Sequence, residues 1–328
     1  MVKIDRTLLY LQSENARMSL KELSRHLRKS PQRLKYAVSI LEKEGVIRQP
    51  YCIFDYSYFG LILFRVYFKG GYISEQEKAK VVRELEGNPF VLSIYELTGE
   101  FDLAVEFAAP NPSKFNKELK KIANANTRLN DYKIVLNLVT YVYPRQYLVS
   151  QPDLYGFKAE RIIGGDRERE SFTPHEMAVM RQVLQSPRLR FRQLAERAAI
   201  NVKTAKSVLD GLTRRSIIRG FRYVLDMNAV GITRSRLFLK LHNVSLEREN
   251  QLMQYMKGAA EIIQVNKTVG DWDMEVDIES LSKSRVRSII LQLREEFKDL
   301  IERFNLIEIY QYYKQSYLPA YLFQEEKG

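Results

Sequence analysis

The sequence predicts an α+β protein made of two copies of one unit, each a winged helix-turn-helix followed by a ferredoxin-like βαββαβ domain. An internal repeat, three closely spaced helix starts at the head of each copy, and a strand–helix alternation behind them carry that prediction. Residues 172–318, slid back by 171 positions, match residues 1–148 with almost no gap. Leu23 falls on Leu194, Lys35 on Lys206, Leu41 on Leu212, and Ile47-Arg48 on Ile218-Arg219. Asp55 meets Asp226, Gly60 meets Gly231, Arg65 meets Arg236, Gly99 meets Gly270 and Asp102 meets Asp273. Glycines and aspartates at one constant offset define a repeated unit of about 150 residues, a size that folds alone, so the chain reads as a tandem fusion.

In the first copy Asp5 caps a short helix carrying Leu8, Leu9 and Leu11. Ser19-Leu20-Lys21-Glu22 is a capping-box pattern, with Leu20, Leu23 and Leu27 on one face behind it. Ser30-Pro31 starts a third helix, since proline at the first helical position gives up an amide that has no partner there. Leu34, Ala37, Val38 and Leu41 face inward, and Gly45 ends the helix. Val46–Arg48 and Tyr51–Phe54 are expected to pair as a two-stranded wing around Gln49-Pro50. Strand 61–68, helix 75–85, strand 91–97, strand 101–107, a helix opened by Asn111-Pro112 and strand 132–143 then give the βαββαβ order. One face of that sheet is left for a partner.

The second copy runs in step. Thr173-Pro174 opens its first helix, Phe191 and Leu194 face inward on the second, and Asn201 caps the third. There Val202, Ala205, Leu209 and Leu212 are expected to pack, and Ile218–Tyr223 to form a more basic wing. The resulting division is winged helix 1 at 1–57, sheet domain 1 at 58–148, a linker at 149–170, winged helix 2 at 171–228, sheet domain 2 at 229–320 and a tail at 321–328. A disordered linker of that length spans about 25 Å, enough for the two sheet domains to pack together in one chain as an intrachain pair, with a further homo-oligomer as an extension; the competing arrangement pairs each sheet across chains, with four winged helices per dimer.

The chain has 328 residues, 45% hydrophobic and 28% charged, the balance of a globular protein with a core. No stretch approaches the roughly 18–20 apolar residues of a membrane span, and the first residues carry charges where a signal peptide needs an apolar block, so a cytoplasmic address is expected. One cysteine, Cys52, excludes an internal disulfide framework. The three histidines, His26, His175 and His242, do not recur between copies and show no metal-ligand spacing, so neither metal nor cofactor is expected. Lys and Arg number 52 against 40 acidic residues, a net charge of +12 that favours a polyanionic partner.

The third helix of such a unit presents its outer face to the major groove of double-stranded DNA. In the first copy that face carries Ser30, Gln32, Arg33, Lys35 and Tyr36, with Arg48 in the wing. In the second it carries Asn201, Lys203, Thr204, Lys206 and Ser207, with Arg219 and Arg222 in the wing. Arginine offers two parallel donors to guanine, glutamine a donor and an acceptor to adenine, and lysine a charge for phosphate. The two sets differ, so the expected site is non-palindromic, with two unlike half-sites.

Ile4-Asp5-Arg6, Ala16-Arg17-Met18-Ser19, Ser30-Pro31 and Leu41–Arg48, together with Thr98-Gly99-Glu100-Phe101-Asp102 and Val269-Gly270-Asp271-Trp272-Asp273, resemble the Lrp/AsnC (feast/famine) family of prokaryotic transcription regulators. The resemblance covers nearly all of both copies. It implies DNA binding, a bacterial or archaeal cell, and RAM-type sheet domains that pair face to face and hold an amino-acid effector at the interface. The effector set would be Thr98, Gly99, Glu100 and Asp102 with Val269, Gly270, Asp271 and Asp273; Asp102 and Asp273 read equally well as strand caps. The chain departs from the family in being fused, in having Asn201-Val202 for Ser-Pro, and in its unlike recognition helices. Two rivals share the fold. One is a siroheme decarboxylase-like enzyme, the other a sensor without DNA binding; the outward Lys and Arg of both third helices argue against the second. Neither half supplies a catalytic constellation. Tyr132, Tyr141, Tyr143, Tyr310, Tyr312 and Tyr313 read as interface packing.

Overall fold

A computed structural model describes residues 4–70 and 74–324. The last four residues of the expected tail, 325–328, lie outside the described residues. The first copy contains helices α1 (Arg6–Glu14), α2 (Leu20–Leu27) and α3 (Pro31–Lys43), then strand β1 (Ile47–Phe54). Its sheet domain is β2 (Ile62–Phe68), α4 (Glu75–Glu86), β3 (Val91–Thr98), β4 (Leu103–Ala109), α5 (Pro112–Ala125) and β5 (Tyr132–Val142). Strand β6 (Arg161–Gly164) follows, within the segment read as a linker. The second copy has α6 (Pro174–Gln185), α7 (Phe191–Arg197), α8 (Val202–Arg214), β7 (Ile218–Leu225) and a single turn, α9 (Met227–Val230). Then come β8 (Thr233–Leu241), α10 (Leu246–Gly258), β9 (Ile262–Val269), β10 (Met274–Ser280), α11 (Lys283–Glu296) and β11 (Ile301–Lys314). Among the described helices none is long and apolar enough to cross a membrane.

The predicted helix starts are built as the chemistry requires. Asp5 accepts from the Thr7 and Leu8 amides, and Ser19 with Glu22 and Thr173 with Glu176 form complete capping boxes. The fold is α+β, two winged helix-turn-helix units each followed by a ferredoxin-like domain.

The two sheets join edge to edge. Strand β5 pairs antiparallel with β9 and β11 with β3, so the last strand of each copy is bonded to the other copy. With β2 also bonded to β5, the circuit β2-β4-β3-β11-β8-β10-β9-β5 closes on itself, an eight-stranded antiparallel barrel with β6 added beside β5. Closure removes the free edges that an isolated four-stranded sheet would expose. The outer faces carry the helices: Val66, Ile94 and Val105 pack with Val81, Leu85 and Leu119 in the first copy, and Leu237, Val276 and Ile278 with Leu252, Ile289 and Leu293 in the second. The inward faces meet each other around Tyr67, Tyr95, Val135, Phe238 and Ile307.

The wings depart from expectation. The sequence predicts that the first wing folds back on itself around Gln49-Pro50; instead β1 is one continuous strand that pairs with β7 of the other copy. A two-residue hairpin needs residues that accept positive φ, typically Asn-Gly, and Gln49-Pro50 supplies neither. Pro50 has no amide to donate, which a two-stranded ribbon tolerates because each strand keeps a free edge. The register places Tyr51 opposite Arg222, its own counterpart in the repeat, so a pseudo-twofold axis runs through the ribbon.

Candidate nucleic-acid interface

Helices α3 and α8 turn unlike polar faces outward. In α3 the Ser30 hydroxyl accepts from the Arg33 amide at 3.4 Å, Leu34, Val38 and Leu41 are buried, and Gln32, Arg33, Lys35 and Tyr36 are exposed, Tyr36 at 70%. In α8 Asn201 accepts from the Thr204 amide at 2.8 Å, Ala205, Leu209 and Leu212 are buried, and Lys203, Lys206 and Ser207 are exposed. Thr204 is half-buried. Val202, expected to pack, is 48% exposed because the first helical position lies beyond the contact that seats Ala205 and Leu209. The caps take up the Arg33 and Thr204 amides and Pro31 has none to give, so the first turn of α3 keeps only the Gln32 amide and that of α8 the Val202 and Lys203 amides.

The three wing arginines do other work. Arg48 pairs with Asp226 and Arg219 with Asp55, the latter at 2.9 Å. These are the same bond made twice across the ribbon, each copy's Arg-Asp pair split between copies. Asp55 is fully buried and also accepts from the Ser57 hydroxyl at 2.6 Å and the Gly164 amide at 2.9 Å. Arg222 is buried, pairing with Glu14 and donating to the Ser13 carbonyl. A buried guanidinium held by a carboxylate cannot reach a DNA backbone, so Arg222 leaves the interface set. Arg219, half-buried on Asp55, is a clamp, and Arg48 holds Asp226 from the surface.

The two glycine-acid turns are likewise occupied by the fold. Gly99 has φ +120° and Gly270 φ +148°; a Cβ on Gly270 would lie 3.1 Å from the Ile134 carbonyl oxygen. Asp102 accepts from the Gly70 amide, and Asp273 from the Leu241 amide at 2.8 Å and from Lys240 at 3.1 Å. Thr98 and Val269 lie in the seams, opposite Glu308 and Leu136. The strand-tying role left open for the aspartates is therefore present. Lys133 lies 3.4 Å from Glu100 and 3.1 Å from Asp271, so the turns of both copies meet at one end of the barrel.

Inside the barrel and at its junction with the ribbon is a charged network that the repeat pattern only hinted at. Arg65 pairs with Glu106 at 2.6 Å and with Glu275, and its counterpart Arg236 pairs with Asp277 at 2.6 Å and donates from Nη1 to the Tyr67 hydroxyl at 2.8 Å. Arg234 reaches Asp277 at 2.7 Å, Arg145 reaches Glu279 at 2.8 Å, and Arg161 reaches Glu14 at 3.2 Å. Burial pushes the carboxyls up, yet the arginine charges outweigh it: Arg236 and Arg234 hold Asp277, Arg145 and Arg234 hold Glu279, and Arg222, Arg161 and Arg145 hold Glu14, all below the usual carboxylate range. Burial pushes the Tyr95 phenol up to about 12. The available signal was charge at inward positions of otherwise apolar strands, as in Arg234, Arg236, Glu275, Asp277 and Glu279. Among the described residues no group of acidic, His and Cys side chains could hold a metal.

Winged helices joined to ferredoxin-like domains are the build of a DNA-binding transcription regulator, and the comparisons agree. A winged helix-turn-helix DNA-binding family model matches residues 1–48. An uncharacterised helix-turn-helix-type transcriptional regulator of Pyrococcus furiosus is 31% identical over 121 residues, covering 37% of this chain and 78% of the relative. A second, from Pyrococcus horikoshii, is 27% identical over 128 residues, covering 38% of this chain and 85% of the relative. The chain belongs to the Lrp/AsnC (feast/famine) family of transcription regulators. Among solved structures, the siroheme decarboxylase NirDL in complex with an iron-uroporphyrin III analogue is similar over 98% of this chain and 95% of that one, with a TM-score of 0.58 and 16% identity. At that identity the likeness concerns the fold.

Proposed function

We propose that this regulator is a self-contained two-headed reader, in which one chain supplies both winged helices to a non-palindromic DNA site with two unlike half-sites. The observation that carries the reading is the chemical difference between the exposed faces of α3 and α8, Gln32-Arg33-Tyr36 against Lys203-Thr204-Ser207. A symmetric dimer reads inverted repeats because its symmetry matches the site. Two unlike faces joined through one ribbon have no such symmetry to impose. Selection of binding sites from random DNA tests this, and a perfect inverted repeat would end it. Arg33→Ala is expected to cost about 1–3 kcal/mol at one half-site, the range of a good base contact, and Lys203→Ala to weaken the other. Loss at the same half-site for both variants refutes two-headed reading.

An amino-acid effector fits the end of the barrel where the turns converge. Lys69 and Lys133 stand over the Phe101 ring beside Glu100 and Asp271, offering both signs of charge to a zwitterion. Calorimetry against the twenty amino acids tests it; silence across all of them removes this part of the reading.

A second reading, tetrapyrrole decarboxylation, draws on the whole-chain similarity in fold to NirDL. Against it, His175 is exposed, His26 stacks edge-on to Tyr155 in the first winged helix, and His242 bonds Asn243 at the end of β8. His26 and His175 thus lie in the winged helices and His242 just beyond the end of β8. An absorption spectrum recorded after incubation with siroheme decides the matter: a bound-tetrapyrrole band would favour the enzyme.

A further inference from the structure

At the junction between the ribbon and the barrel, Arg65, Arg145, Arg222, Arg234 and Arg236 line an internal cavity of about 40 Å³. Glu106 is the single carboxylate in its wall among the described residues. A water needs about 10–15 Å³ of such space, so the cavity has room for a group of three or four heavy atoms. The wider network joins six arginines, these five and Arg161, to five carboxylates, Glu14, Glu106, Glu275, Asp277 and Glu279. One positive charge is left over among these largely buried groups. Among the described residues two guanidinium nitrogens, Arg145 Nη1 and Arg234 Nε, are buried without a hydrogen-bond partner, Arg145 Nη1 standing 3.8 Å from the Glu14 carboxylate, on residues that are 3% and 8% exposed. Leaving a charged donor unpaired there is costly, and a small anion would satisfy it.

The cavity lies on the pseudo-twofold axis, where both members of several repeat pairs face it. Arg234 and its counterpart Leu63, Arg145 and Ser316, and Arg222 and Tyr51 all line it, the last pair facing each other across the ribbon. In a symmetric dimer like would face like, and each added arginine would come twice. Fusion lets a position be arginine in one copy and apolar or hydroxylic in the other, so the lining is asymmetric, which suits a single oriented ligand. Tyr51, Gln315 and Ser316 also line a neighbouring open groove of about 640 Å³, with Pro50, Cys52, Leu184, Leu189 and Leu318 along it. That volume is in the usual range for a small-molecule site.

We propose that the arginine cavity is the head-group site of a small organic monocarboxylate whose body lies in the groove. The carboxylate takes the open donors of Arg145 and Arg234, and the apolar body rests between β1 and the second winged helix. This is a site apart from the glycine-acid turns, and only its regulatory meaning rests on the DNA-binding reading: a ligand there touches the barrel, the ribbon and α6–α7 together.

The test is calorimetry on the whole chain without DNA, using phenylacetate, its neutral amide phenylacetamide, and formate as a head-group competitor. Phenylacetate is expected to bind saturably at one site, phenylacetamide at least tenfold more weakly, and formate to displace phenylacetate. Arg234→Leu, which installs the residue of the other copy, is expected to weaken phenylacetate at least tenfold; Lys133→Ala and Arg33→Ala are expected to leave it unchanged. Equal binding of acid and amide overturns the proposal, as does loss of binding in Lys133→Ala. Should Arg234→Leu not fold, formate competition in the unaltered protein decides alone: no displacement refutes the head-group site. A gel shift run separately reports DNA binding, so either reading can fail without the other.

Discussion

A Cβ placed on Gly164, which sits at φ +85°, would lie 2.6 Å from the Tyr56 hydroxyl and 2.9 Å from the Leu138 carbonyl oxygen. Gly45 has a similar φ, +68°, with nothing within 4 Å of a Cβ. The pair separates backbone strain from collision. Gly45→Ala is expected to cost about 1 kcal/mol, the penalty of a left-handed residue with a side chain. Gly164→Ala adds overpacking of a fixed backbone oxygen and should cost about 2–4 kcal/mol in urea unfolding. Equal costs would show that β6 shifts freely, contrary to its anchoring by the Asp55–Gly164 bond. The recurring residues of the two copies have duties of this local kind. Leu23 and Leu194 are core, Lys35 and Lys206 stand outward, and Asp102 and Asp273 each take a backbone amide. Their recurrence was legible in sequence. What Arg48, Arg219 and Arg222 bind was not, because their partners belong to the other copy and no local pattern records them.

At the level of elements, the ribbon β1–β7 and the seams β5–β9 and β11–β3 make one pattern three times over: a strand leaves its own copy and pairs with the other. The helices and most strands could be read from periodicity and caps, since those signals reside within a few residues. Strand exchange could not, because a sequence that forms a good edge does not name its neighbour. The wing shows the difference, as alternation placed a strand at 47–54 while only the missing hairpin turn at Gln49-Pro50 argued against folding back. The clamp across this ribbon gives a prediction. Arg219→Ala removes a partner of buried Asp55, which keeps Arg167 at 3.1 Å, and is expected to cost about 1–3 kcal/mol in urea unfolding. Arg48→Ala removes an exposed pair and is expected to cost less than about 1 kcal/mol. In salt titrations of DNA affinity, Arg219→Ala should leave the slope unchanged and Lys35→Ala should lower it by about one counterion. A lowered slope for Arg219→Ala would return that residue to the interface.

At the scale of the whole molecule, closing two four-stranded sheets into one barrel gives the chain a shared interior, and that interior is ionic. Asp277, Glu279 and Glu14 are fully buried against arginines that hold their carboxyls below the ordinary range. In the unfolded chain the same groups titrate near about 4. Above that value they are ionised in both states, and the stability they confer is fully present. As the pH falls below about 4 the unfolded chain takes up protons that the native barrel still refuses, so stability drops with each step toward the native values. The urea midpoint is therefore expected to be nearly flat between pH 7 and about 5 and to fall steeply below about 4. Asp277→Asn leaves Arg234 and Arg236 short of a charge, so it should be less stable at pH 7 by about 3–5 kcal/mol, yet lose less between pH 5 and 3 than the unaltered chain. A midpoint that holds steady from pH 5 to 3, or a variant whose acid slope matches the unaltered protein, would mean that the buried carboxylates titrate as free ones and that the ionic interior does not hold the two copies together.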